Sequence, residues 1–450
     1  MPKRFLTLLD LDSTLLFGLG TRGVGAVLAP ATTLIVAIYL SPELQGYYYT
    51  FISLTALQVL VELGITGVIT TFASHEWAHL RREKDGTVRG DSRAISRLAS
   101  LVRFSGRWFL GAGILITILF LLAGLAFFQI EDDVDWGGPW VVLSIVTGLN
   151  VILLPSLAIL LGCGEIRDVN YYRFVEALLR YGTVWAVLAI GGGLWTLAAS
   201  AVIVFAWTLV FLHRRHRRFF LYLVRATISE PIDWKQNILP LQWRTAAMWP
   251  SGYMMFSLFT PALFHYQGPV LAGQMGMSWA LISGISGLAS TWLQVRTPRF
   301  GTLVAQKQFT TLDGIAKRAA LTSFSVALLG AVILFLVLGA VERYFPWWRE
   351  RLLPTLPIMI FMAAEVLHQL SFAQSSYLRS FKKEPFFWLS IVCGWFVGIS
   401  TIISAAHFGV TLIAVGYFIA VIIALGWGSY IFVRCRAKWT NGLGDKNGYR

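Results

Sequence analysis

Long apolar runs alternate with short polar gaps along the whole chain, and about twelve of the runs are long enough to cross a bilayer, which takes roughly 20 helical residues. The predicted spans are 14–39, 47–79, 104–129, 139–162, 170–190, 195–213, 240–265, 269–293, 319–340, 354–378, 385–406 and 408–433. The second is too long for one crossing, because a helix that size reaches about 50 Å at about 1.5 Å per residue. Its end, His75 to Arg82, is expected to project beyond the membrane. Just after it, Ile95, Leu98 and Val102 recur at helical spacing among Arg93, Arg97 and Arg103, which reads as an interfacial amphipathic helix. Trp136, Trp140, Trp347 and Trp348 fall at span ends, where interfacial aromatics belong.

The gaps between the runs are not equivalent. Taken as alternately inside and outside, the inside gaps hold 32 of the 37 Lys and Arg, and the outside gaps hold only Arg343, Arg349 and Arg351. Arg22 and Arg180 lie within spans. This asymmetry follows the positive-inside rule and predicts a polytopic membrane protein with both termini in the cytoplasm. The acidic stretch Glu131, Asp132, Asp133 and Asp135 falls outside, consistent with that orientation.

Composition narrows the class. Of 450 residues, 56% are hydrophobic, and the mean hydropathy is +0.66, which excludes an ordinary soluble domain. The net charge of +14 is therefore topogenic and faces anionic headgroups rather than nucleic acid. The first run keeps Arg22 and follows Asp10 and Asp12, so it reads as a retained helix rather than a cleaved signal. Cys163, Cys393 and Cys435 have no paired spacing, so neither a disulfide nor a metal framework is expected.

The longest loop, near 213–239, opens on His213-Arg214-Arg215-His216-Arg217-Arg218, which reads as a lipid-headgroup anchor. It predicts a six-helix bundle over 1–225, a basic linker over 226–239 and a second six-helix bundle over 240–450. The halves share a turn. Pro42, Leu44 and Gly46 after the first span match Pro269, Leu271 and Gly273 after the seventh at a constant offset of 227 residues. An even number of spans per half keeps both in one orientation, so the expected symmetry is a parallel repeat about the membrane normal.

Charges inside a bilayer cost from about 3 kcal/mol upward, so those present are the functional suspects. Arg22 and Arg180 lie near mid-depth and offer planar forks suited to phosphate oxygens. Arg180 could instead pair with Glu176, one turn earlier. Glu62 lies midway along the second span; Glu365 lies midway along the tenth, with His368 on the same face and Gln369 adjacent. These acids suit either a coupling cation or proton relay, or a salt bridge to Arg22 or Arg180. Gln58, Asn150, Gln274, Gln294 and Gln374 are open to a lumen-lining or a helix-packing role. Nucleotide-binding and zinc-hydrolase motifs are absent, no cofactor is expected, and no outside loop is long enough for a catalytic domain.

In this topology the chain resembles the multidrug/oligosaccharidyl-lipid/polysaccharide (MOP) exporter superfamily. The turn Leu40-Ser41-Pro42-Glu43-Leu44-Gln45-Gly46-Tyr47 is similar to the Leu-Gly/Ser-Pro-x-x-x-Gly-x-Tyr/Phe turn of its polysaccharide-transporter branch. The later turn, Gly268-Pro269 to Gly273-Gln274, is similar to that branch's second-half motif. The resemblance implies a flippase of the O-antigen (Wzx) type, moving an undecaprenyl-pyrophosphate-linked oligosaccharide across a bacterial inner membrane, with other polysaccharide-assembly proteins as partners. It also implies that Arg22, at a position similar to a cavity arginine of lipid II flippases, meets the pyrophosphate, while Arg180 has no motif match. The alternatives are a multidrug exporter of the same superfamily, a non-transporting scaffold of a glycan-assembly complex and a membrane transferase acting on prenyl-linked sugars.

Overall fold

The computed structural model describes residues 13–440 apart from 63, 84, 129–133 and 233–238. It is almost wholly helical: α1 (Ser13–Tyr39), α2 (Pro42–Thr55), α3 (Gln58–Glu62), α4 (Ile65–Trp77), a hairpin of β1 (Leu80–Arg82) and β2 (Val88–Gly90), α5 (Ser92–Phe127), α6 (Gly137–Gly162), α7 (Ile166–Ala189) and α8 (Trp195–Phe211). A π turn (Leu212–His216) leads into α9 (Arg217–Arg225), followed by α10 (Leu239–Phe256), α11 (Phe259–Gln267), α12 (Pro269–Ala305), α13 (Phe309–Tyr344), α14 (Pro346–Arg349), α15 (Thr355–Arg379), α16 (Phe387–His407) and α17 (Val410–Thr440).

Among the described residues, seven helical segments are long and apolar enough to cross a membrane, and the bent pair Pro42–Glu62 with Ile65–Trp77 would make an eighth. The helices α7 and α12 are long enough, at 24 and 37 residues, but more polar; α7 carries Arg167, Asp168, Arg173, Glu176 and Arg180. Apolar side chains such as Leu329 (61% exposed) and Leu336 (64%) face outward along α13, a surface suited to lipid rather than water. The chain is a multi-pass membrane protein.

Three helix expectations are corrected. The span predicted over 47–79 is interrupted after Thr55 and again before Ile65, where Gly64 adopts a left-handed φ of 71° that ends the regular ladder. The separate interfacial helix after Asp91 does not form. No helix breaker follows, Asp91 caps the Arg93 N–H, and α5 runs unbroken for 36 residues. The span predicted over 240–265 breaks between Phe256 and Phe259, because Pro261 brings no N–H to the carbonyl four residues back.

Contacts divide the chain into two units. One comprises Met1–Leu40 with Leu54–Trp249, the other Ser41–Ser53 with Pro250–Arg450. The sequence placed the boundary within 226–239 and left the first-half turn in the first bundle.

In the first unit, α5 and α6 pack around buried Trp140, whose indole N–H donates to the Phe120 carbonyl at 2.8 Å. The α7 helix is tied to α1 by Trp185 Nε1 donating to Thr32 Oγ1 (2.8 Å), and to α8 by the Tyr172–Thr208 hydroxyl pair (2.7 Å). The hairpin was not anticipated. Arg82 fastens it to the helical bundle by donating to Glu165 Oε1 (2.8 Å) and the Arg215 carbonyl (3.1 Å), with His216 Nδ1 also 3.1 Å away.

In the second unit a buried apolar cluster includes Leu293, Phe300, Leu312, Tyr377 and Leu389. Tyr377 donates to Asp313 Oδ1 (2.8 Å), which also receives Arg436 Nε (3.2 Å), closing the ends of α13, α15 and α17 together.

Candidate functional site

Among the described residues, the second unit buries one carboxyl side chain between apolar helices. Glu365 lies on α15, 6% exposed, with His368 and Gln369 three and four residues on and therefore on the same face. The Ser286 hydroxyl of α12 donates to Glu365 Oε2, and the Tyr417 hydroxyl of α17 donates to Oε1. Gln369 Nε2 donates to Ser286 Oγ at 2.6 Å, so donors run in one direction from Gln369 through Ser286 to the carboxylate. On the far side of Gln369, Ser323 Oγ of α13 lies 2.8 Å from Gln369 Oε1 and 2.9 Å from the Ala289 carbonyl, and its one proton serves either. His368 Nδ1 stands 4.0 Å from Glu365 Oε2.

Tyr417 is completely buried against Phe259, Trp279 and Phe361, with centroid separations between 5.6 and 5.7 Å. This rigid aromatic wall leaves the hydroxyl little choice of direction. Beside Glu365 a cavity of about 10 Å³, room for roughly one water, is lined by Ile282, Ile285, Ser286, Ala327 and Met362. A carboxylate with converging hydroxyls, a nearby imidazole and a water-sized space can exchange a proton or take a small hard cation on oxygen ligands. Among the described residues no three His, Cys, Asp or Glu cluster as a metal site.

Among the other sequence candidates, Glu62, Asn150 and Arg180 belong to the first unit. Arg22 falls on α1 at a position whose side chain is outside the described residues. Arg180 is exposed on α7 and forms an ion pair with Glu176, one turn away. Glu62, half-buried at the end of α3, accepts from the Thr66 hydroxyl at 2.7 Å across the bend into α4. Asn150, Gln274, Gln294 and Gln374 donate to groups on their own or neighbouring helices and loops. Tyr417, Ser286 and Ser323 were missed: a tyrosine or serine in an apolar helix carries no signal of its own until the fold brings it to a carboxylate.

The two motif turns meet within the second unit. Gly46 packs so tightly on Pro269 that a β-carbon there would collide with the Pro269 carbonyl, and one on Gly273 would lie 2.8 Å from the Gly46 nitrogen. Gln45, fully buried, donates to the Gly273 carbonyl (2.9 Å) and to the Arg351 carbonyl (3.0 Å). Arg351 lies beside Glu43 and Glu350; burial lowers the pKa of its guanidinium and the two acids oppose the shift. Gln45 thereby joins the segment of Pro42 and Gly46 to that of Pro269 and Gly273.

The fold is shared with transporters of the MOP superfamily. An inward-facing multidrug resistance MATE family transporter aligns with TM-score 0.65 and 15% identity over 92% of this chain and 96% of its own. Lipid II flippase MurJ in an inward closed conformation aligns with TM-score 0.65 and 12% identity over 97% and 94%. A MOP superfamily transporter from Pyrococcus furiosus, described as having a binding pocket of reversed polarity, aligns with TM-score 0.54 and 14% identity over 96% and 98%. No family model and no curated protein matches the sequence.

Proposed function

We propose that this protein is a flippase that carries a polyprenyl-pyrophosphate-linked oligosaccharide across the bacterial cytoplasmic membrane for surface polysaccharide synthesis. About twelve membrane spans form two six-span halves about an axis along the membrane normal, both termini lie in the cytoplasm, and rocking of the halves alternates access to a polar lumen. The prenyl tail stays in lipid while Arg22 and Arg180 receive the pyrophosphate, whose oxygens match the guanidinium fork. A Na+ or H+ gradient biases the cycle through Glu365 and His368, with Glu62 as the acid of the other half.

The observation that carries a coupled transporter is Glu365, held by donors from two other helices inside an apolar bundle. An acidic side chain kept in such surroundings argues for use. What supports a lipid-linked cargo is the pair of polysaccharide-branch turns, Pro42 to Gly46 and Pro269 to Gly273, on a fold also found in a lipid II flippase. The second reading, a multidrug exporter, rests on the fold shared with multidrug resistance MATE family transporters.

Deletion and complementation in the host separate the two. The flippase reading predicts loss of surface glycan with unchanged drug susceptibility, restored by the wild-type gene. Heightened drug susceptibility with intact glycan would replace it with the exporter.

A further inference from the structure

The first unit carries a second cavity, where the segment Trp195–Arg225 ends and α5 begins, that the transport reading does not use. On α9, Arg218, Leu221, Tyr222 and Arg225 fall at i, i+3, i+4 and i+7, and so form one helical stripe. That stripe walls a cavity of about 750 Å³, within the size range of small-ligand sites. The hairpin turn closes it on one side and the first turn of α5 on another, and the loop after α9 adds the hydroxyls of Thr227 and Ser229.

Its charges are free to act on a ligand. Neither Arg218 nor Arg225 makes an ion pair or hydrogen bond with a described residue, and both are exposed. Asp85 is the lining's one carboxylate among the described residues. It is already committed to its own turn, accepting the Thr87 N–H at 2.9 Å and the Thr87 hydroxyl at 2.7 Å. Those Thr87 hydrogen bonds hold its pKa below the usual carboxylate value.

The walls are built rather than incidental. Gly86, with φ +88°, sits so close to α9 that a β-carbon would lie 2.8 Å from Arg218 Cβ, so the hairpin turn rests on the stem of that arginine. Arg82 pins the hairpin to Glu165 and the Arg215 carbonyl. Arg103 of α5 holds the end of α9 by donating to the Val224 carbonyl at 3.0 Å. Ser96 Oγ accepts the N–H groups of Ser229 and Glu230, both at 2.9 Å, fixing the loop.

Apolar surface adjoins the arginines. Phe219 and Leu223 are buried and anchor α9, whereas Leu221 and Val224 stay 39% and 49% exposed. A soluble anion has no use for that surface, but the glycerol and first methylenes of a lipid do. The arginine-rich segments 81–107 and 214–244 belong to the side that the charge asymmetry assigns to the cytoplasm.

We propose that this cavity is a specific site for the phosphate headgroup of an anionic phospholipid of the cytoplasmic leaflet, clamped between Arg218 and Arg225. It would hold the hairpin and α9 at the membrane surface, independently of the transported cargo.

The test uses the purified full-length protein in neutral detergent, titrated with dioleoyl phosphatidylglycerol, with dioleoyl phosphatidylcholine and with glycerol 3-phosphate, binding being read by native mass spectrometry. The site predicts one saturable phosphatidylglycerol per chain, weakened at least tenfold by R218Q/R225Q. The equally neutralising R214Q/R217Q, outside the cavity lining, should leave it within twofold. Hydrogen exchange on the unmodified chain should show lipid-dependent protection confined to residues near 80–95 and 217–229, a readout that needs no variant to fold. Equal weakening by both double variants would reduce the site to diffuse charge attraction. Equal binding of glycerol 3-phosphate would make it a soluble-anion site, and absence of saturable phosphatidylglycerol binding or of local protection would overturn it.

Discussion

The side-chain amide of Gln45 donates to the carbonyl of Gly273 at 2.9 Å, joining two turns that lie 228 residues apart in sequence. The sequence match between Pro42–Gly46 and Pro269–Gly273 thus becomes a physical contact. Each glycine is small because the other turn occupies the space where its β-carbon would stand.

Gly46 lies inside α2, where replacing glycine by alanine ordinarily stabilises a helix by up to about 1 kcal/mol. Here the sign should reverse. Gly46→Ala must push Pro269 away, and overpacking of this kind costs about 1–3 kcal/mol. Thermal unfolding in detergent checks it: Gly46→Ala should melt lower than the parent, while Gly25→Ala, which meets nothing within 4 Å, should not.

Tyr417 is the donor whose loss should be felt most at Glu365. Removing its hydroxyl leaves one carboxyl oxygen without that donor in a closed apolar site, at about 1–3 kcal/mol for a buried polar group left unsatisfied. Tyr417→Phe should lower the melting midpoint clearly, whereas Tyr430→Phe, at a tyrosine 63% exposed, should leave it unchanged. Equal effects would mean that the hydroxyl does not hold the carboxylate.

Arg180 separates stability from transport. Its side chain is 56% exposed and its partner Glu176 is one turn away, so the pair is worth no more than about 0.5 kcal/mol. Arg180→Ala should fold and melt like the parent. If Arg180 also meets the cargo's pyrophosphate, the same variant should transport several-fold more slowly; unchanged transport would leave it a surface ion pair.

The charge asymmetry and the apolar runs made the membrane class legible, because insertion energetics act on segments and need no tertiary information. Glu365 was legible for the same reason, as a charge in an apolar run. Its shell was not, since Ser286, Ser323 and Tyr417 acquire meaning only when α12, α13 and α17 come together. The hairpin at 80–90 escaped notice because its strands are three residues each and arginine-rich, with no alternation to read. Gly64 and Pro261 were in plain view as breakers, yet the apolar runs around them suggested continuous helices.

The cysteines offer a chemical check on packing. Cys163 is buried at the end of α6, and burial raises its thiol pKa well above the usual value, so it stays protonated at pH 8. A charged maleimide at that pH should modify Cys435, which is only partly buried, and spare Cys163 until the protein is denatured. Rapid labelling of native Cys163 would contradict the packing of α4 on α6 described by Gly162 against Ala73.

The most direct test of lipid-linked sugar flipping is a leaflet-accessibility assay in sealed proteoliposomes bearing a short fluorescent prenyl-pyrophosphate oligosaccharide. The account predicts protein-dependent loss of protection, accelerated by a Na+ or H+ gradient, with Glu365→Gln abolishing the acceleration and Arg22→Ala abolishing flipping. Protection that persists with the wild-type protein under both gradients, with a sugar matched to the host glycan, would contradict it.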